Sequence, residues 1–71
     1  MHIGKRIKEV LDKQGMSATW LAEQIPCERS NVYNIFRREG IGIDLLYVIS
    51  SILNHDFFSE LSEEWKKEKR C

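Results

Sequence analysis

Arg29, Ser30, Asn31, Tyr33 and Asn34 stand in a stretch whose apolar residues, Val32, Ile35 and Phe36, recur at helical spacing. On one helix this pattern gathers the apolar side chains on a single face. Guanidinium, hydroxyl, carboxamide and phenol groups occupy the rest of the circumference. Those are the donors and acceptors that match base edges in the major groove of DNA: arginine pairs bidentately with guanine, and asparagine with adenine. Arg37 and Arg38 follow directly. Together with Lys5, Ser17 and Thr19 they have the chemistry for phosphate oxygens, contacts that position a protein on a duplex without reading its sequence.

Other chemistries are poorly supplied. His2 and His55 have no acid, thiol or second histidine at catalytic or ligand spacing, so neither a metal nor acid/base catalysis is expected. Cys27 and Cys71 are 44 positions apart, which suggests neither a zinc ligand set nor a disulfide framework. Cys27 reads as a small core residue in a turn. No cofactor and no enzymatic activity is expected.

These groups need a scaffold, and the chain is long enough for one domain spanning 1–71, with 42% hydrophobic and 31% charged residues. Eleven basic and eleven acidic side chains give a formal net charge of zero, so attraction to nucleic acid must come from a local patch. Residues 1–40 carry seven basic and five acidic groups, a balance of +2, and residues 41–71 four and six, a balance of −2. The first part is therefore the better match for phosphate. No apolar run approaches the roughly 20 residues that cross a bilayer, and no signal-type stretch follows Lys5 and Arg6. A cytoplasmic, reduced protein without a membrane partner is expected.

The pattern predicts five short helices and no strand. Ile3, Ile7, Val10 and Leu11 share a face of the first, which stops at Gly15. Ser17 caps a second helix carrying Trp20, Leu21 and Ala22, and Pro26 ends it near Gln24 to Cys27. Arg29 to Arg38 forms the third. Gly40 and Gly42 make a loop before a largely buried fourth helix over Ile43 to Leu53, closed by Asn54. Asp56 caps a fifth with Phe57, Phe58, Leu61 and Trp65 on one side, and residues 66–71 read as a frayed tail.

Two short helices joined by a tight turn, the second with a polar outer face, can lay that second helix in the major groove. At these residues the sequence resembles the lambda-repressor-like, Cro-like helix-turn-helix regulators of the XRE family, over nearly the whole chain from "IGKRIKEVLDKQGMS" through "LAEQIPCERSNVYNIFRR" to "GIDLLYVISSILNHDFF". Leu21, Ala22, Ile25, Cys27, Val32 and Ile35 match its signature, and Pro26 replaces the usual turn glycine. The resemblance implies an all-α, compact bundle with a helix-turn-helix core at about 17–38. It implies base contacts from Arg29, Ser30, Asn31, Tyr33 and Asn34, and phosphate contacts from Lys5, Ser17, Thr19, Arg37 and Arg38. It further implies a bacterial transcriptional regulator, expected to repress as a homodimer on a palindromic operator.

Three further departures from the family pattern change the chemistry. Ala18 stands where a phosphate-contacting glutamine is common, and Glu28 where a serine-like cap is usual; its carboxylate suits the helix dipole but repels phosphate. Leu11 and Phe36 replace a frequent arginine–glutamate pair, an exchange that keeps a core intact. The alternative implied by these features is a helix-turn-helix fold serving as a protein-interaction module or antitoxin component with weakened DNA binding. Trp20, Tyr47, Val48, Phe57, Phe58 and Trp65 exceed what a small core accommodates, which points to dimerisation through the fourth and fifth helices.

Overall fold

In the computed structural model the described residues are 1–25 and 28–69, with Arg29 described in its backbone alone. They form five helices and no strand: α1 (Ile3–Lys13), α2 (Ala18–Gln24), α3 (Arg29–Arg37), α4 (Ile43–Leu53) and α5 (Phe57–Lys69). None is long and apolar enough to cross a membrane.

Each helix starts and stops for a local reason. His2 caps α1, its ring accepting from the Lys5 amide at 3.2 Å, and Gly15 at φ 72° turns the chain out of it. The Ser17 hydroxyl accepts from the Trp20 amide at 3.0 Å, satisfying one of the free donors at the start of α2. Asn54 ends α4 in the left-handed conformation at φ 50°. The Asp56 carboxylate accepts from the Ser59 amide at 2.9 Å at the head of α5.

The core is built from one stripe of each helix. Ile3, Ile7, Val10 and Leu11 of α1 pack with Leu21 and Ala22 of α2, Val32, Ile35 and Phe36 of α3, Leu46, Ile49 and Leu53 of α4, and Phe57 of α5. Leu11 and Phe36 are both buried, as expected for an apolar replacement of an ion pair.

The junction between α1 and the end of α3 brings two backbones into direct contact. The Ile3 amide donates to the Glu39 carbonyl and the Gly4 amide to the Arg38 carbonyl, each at 3.0 Å. Two orphan donors of α1 are thereby satisfied by the chain leaving α3. A Cβ on Gly4 would lie 2.3, 2.5 and 2.7 Å from the carbonyl oxygens of Ile35, Phe36 and Arg38. Only glycine lets the two backbones meet so closely. At the other end of α1, the Gln14 side-chain amide donates to the Leu53 carbonyl at 2.6 Å, tying α1 to the last turn of α4.

Two features of α5 differ from expectation. The helix continues through Lys69, where a frayed end from Lys66 was expected; Lys66 pairs with Glu63 at 3.9 Å, and Lys69 sits 4.8 Å over the Trp65 ring. Contacts one turn apart on the helix surface account for the extra turn. Residues 70 and 71 lie outside the described residues. The apolar set also divides: Phe57 is fully buried, but Phe58, Leu61 and Trp65 are exposed. The side turned to the body is 57, 60 and 64: Phe57 is buried in the core, and beside it Glu60 and Glu64 make ion pairs with α1 and the residues before it.

Candidate nucleic-acid interface

At 3.6 residues per turn, Val32, Ile35 and Phe36 occupy an arc of about 100° on α3, and Ser30, Asn31, Tyr33, Asn34, Arg37 and Arg38 span the opposite 160° or so. The structure follows this division. Val32 is fully buried and Ile35 and Phe36 nearly so, while those six polar residues are all exposed. Among the described residues, no hydrogen bond or ion pair holds the side chains of Ser30, Asn31, Asn34, Arg37 or Arg38. Glu28 precedes α3 with no side-chain capping bond, and its exposed carboxylate stands at the end of the helix where Arg29 begins. The Arg29 side chain, with Pro26 and Cys27, lies outside the described residues.

The outer arc has two edges with different neighbours. On one, Tyr33 meets Phe36 edge-on with ring centroids 6.1 Å apart, and the Phe36 ring lies 6.0 Å from Nζ of Lys8 on α1. On the other, Asn31, Asn34 and Arg38 line a groove of about 360 Å³ with Ile25 from the end of α2, Ile35, and Leu45 from α4. The polar ridge of α3 thus has an apolar wall beside it.

The sequence-predicted phosphate residues fall into two groups. Lys5 follows Gly4, whose amide is bonded to the Arg38 carbonyl, so Lys5 is carried to the C-terminal end of α3, where Arg37 and Arg38 stand. All three side chains are exposed. Ser17 and Thr19 lie on a different element, the start of α2, which packs against α3. The Ser17 oxygen already serves as the helix cap.

No family model, curated protein or solved structure matches this chain.

Two residues that shape the site are not marked by the sequence pattern: Gly4 at the contact of α1 with the end of α3, and Leu45, which forms a wall beside α3 with Ile25. A charged network remote from α3 is likewise unmarked. The Arg6 guanidinium grips Glu60 through Nε at 2.6 Å and Nη2 at 3.2 Å, and donates to Glu9 at 3.1 Å. The His55 ring meets the same Glu60 carboxylate. The hydrogen bond from Arg6, supported by His55 and opposed by partial burial, holds the Glu60 carboxyl below its usual range. The same bond to Glu60 raises the Arg6 guanidinium. This network fastens α5 and the α4–α5 turn onto α1. Only pairing over 54 positions could have signalled it, and charge spacing along a sequence does not report such distances.

Opposite the body, α4 and α5 present uncovered apolar groups. Ile43, Tyr47 and Trp65 are 74%, 67% and 58% exposed, with Val48, Phe58 and Leu61 beside them in lesser degree. Tyr47 and Phe58 are the apolar members of a groove at the α4–α5 turn, whose other lining residues, Ser50, Ser51, Asn54, His55 and Asp56, are polar. Of the apolar residues expected in excess, Tyr47, Val48, Phe58 and Trp65 are exposed, Trp20 is half-buried, and Phe57 belongs to the core.

Proposed function

We propose that this chain is a sequence-specific, duplex-DNA-binding transcriptional regulator of the helix-turn-helix type, with α2 and α3 as the helix pair and α3 entering the major groove. The observation that carries the reading is the outward face of α3: exposed and polar, with no hydrogen bond or ion pair holding the described side chains of Ser30, Asn31, Asn34, Arg37 and Arg38, on a helix whose other face is locked into the core. Ser30, Asn31 and Asn34 offer base-edge chemistry, with Arg29 at the leading end and Tyr33 at the flank. Lys5, Arg37 and Arg38 form the phosphate clamp at one end of α3, and Ser17 and Thr19 supply a second set of contacts from α2.

The protein acts as a homodimer joined through α4 and α5. Ion-paired carboxylates occupy one flank of α5 beside buried Phe57, while Trp65 is largely exposed and Phe58 and Leu61 are partly so on the other flank, an arrangement that suits a second copy better than solvent. A two-fold dimer sets two α3 helices about 34 Å apart, the spacing of successive major grooves in a palindromic operator. The reading places the protein in the bacterial cytoplasm as a repressor. The uncovered α4–α5 surface also favours a second reading, a protein-interaction module or antitoxin component with weakened DNA binding, in line with exposed Glu28 beside α3 and Ala18 at the start of α2.

Fluorescence anisotropy with random-sequence duplex across a salt series separates the two. Affinity that falls steeply as salt rises is expected from phosphate neutralisation. No binding at low salt by a fully helical protein would favour the interaction module.

A further inference from the structure

The two edges of the α3 arc are chemically unequal, and the inequality bears on which bases are read. Asn31 and Asn34 lie one turn apart on one ridge, separated by about 4.5 Å along the helix axis. The base step in DNA is about 3.4 Å. Two carboxamides so spaced on a helix lying along the groove fall on neighbouring base pairs. Each carboxamide has one acceptor and one donor group, and adenine, with its N6 donor beside its N7 acceptor, is the base that engages both. The described lining of the adjoining groove has no carboxylate; its remaining members are Arg38 and the apolar Ile25, Ile35 and Leu45. Thymine presents a methyl group on the same base pair, and an apolar wall is the surface that accepts it. Tyr33, by contrast, is drawn to the α1 edge by its contact with Phe36.

We infer that base reading is concentrated on this one edge of α3: Asn31 and Asn34 address adenines on adjacent base pairs, and the wall formed by Leu45 and Ile25 receives the partnering thymine methyls. The inference rests on the DNA-binding reading above and names its substrate class, a half-site containing two consecutive A·T pairs. Arg38, at the end of the same ridge, takes the flanking phosphate.

The test is selection of duplexes from a random pool by the full-length chain, followed by affinity measurements on the selected site. Two adjacent A·T pairs are expected in each half-site, with Asn31→Ala and Asn34→Ala each relaxing the preference at one of them about tenfold. Replacing thymine by deoxyuridine at those pairs should weaken the wild type several-fold and leave Leu45→Ala unaffected. A selected site with G·C at these positions, or asparagine variants that bind with unchanged preference and normal helicity, would overturn the inference while leaving DNA binding intact. Failure of the wild type to bind any duplex at low salt would overturn the DNA-binding reading and this inference with it.

Discussion

The molecule handles its polar groups in opposite ways on two of its sides. Where α5 and the α4–α5 turn meet α1, the charged groups are committed to one another: Arg6 to Glu60 and Glu9, His55 to Glu60, and the N-terminal ammonium to Glu64 at 2.5 Å. Along the outer arc of α3, the described side chains of comparable polarity hold no such partners. Ion pairs that close on themselves fix helices relative to one another. Groups left without a protein partner are available to an external one, and the buried stripe of Val32, Ile35 and Phe36 ensures that α3 presents them in a fixed orientation. The contrast separates residues whose loss should change stability from residues whose loss should change binding.

The largest effect on stability is expected at Gly4, which belongs wholly to the scaffold. Gly4→Ala gains about 1 kcal/mol of helix propensity but forces a methyl into three backbone carbonyl oxygens that cannot rotate away. A net loss of about 2 kcal/mol or more is expected in urea unfolding. A variant as stable as the wild type would show that α1 and the end of α3 are not in such close contact.

Glu60→Gln comes next, with an expected loss of about 1.5 kcal/mol at neutral pH for a paired, three-quarters-buried carboxylate. Its pH signature is more informative. Because folding holds this carboxyl below its ordinary value of 4.5, its contribution is fully present above that value and disappears as pH falls through the lowered one. Denaturation midpoints measured from neutral to strongly acidic pH should therefore fall less for Glu60→Gln than for the wild type. Parallel curves would remove Glu60 from the set of groups that fasten α5.

Ser17→Ala should cost about 1 kcal/mol through the lost cap of α2. This residue tests the boundary between the two regions, since a phosphate contact would add a loss of DNA affinity to the loss of stability. The smallest stability changes, within about 0.5 kcal/mol, are expected for Arg37→Ala and Arg38→Ala. Each should instead weaken binding to all duplexes alike and reduce the slope of log affinity against log salt by about one.

Much of the scaffold is legible in the sequence because its determinants are local. The spacing of Ile3, Ile7, Val10 and Leu11, the Ser17 and Asp56 caps, and Asn54 as a left-handed stop can each be read within a few residues, and the structure has them in those roles. The outward arc of α3 is legible for the same reason. What escapes is long-range: Gly4 against the carbonyls of Ile35, Phe36 and Arg38, Gln14 on Leu53, Arg6 on Glu60, and Leu45 beside Asn34. The division of α5 is not legible because Phe57, Phe58, Leu61 and Trp65 spread over about 100° of the helix, and the structure buries only the Phe57 edge, beside which Glu60 and Glu64 pair with Arg6 and the N-terminal ammonium. Periodicity identifies a stripe; the partner across from it decides which stripe turns inward.

If DNA binds on the polar arc of α3, amide chemical-shift mapping of the isotope-labelled protein will locate it there as duplex DNA is added at low salt. Shifts concentrated at Ser30, Asn31, Tyr33, Asn34, Arg37 and Arg38, with Arg6, His55 and Glu60 unmoved, are the predicted result. Saturable shifts confined to α4 and α5, with α3 unchanged, would contradict it.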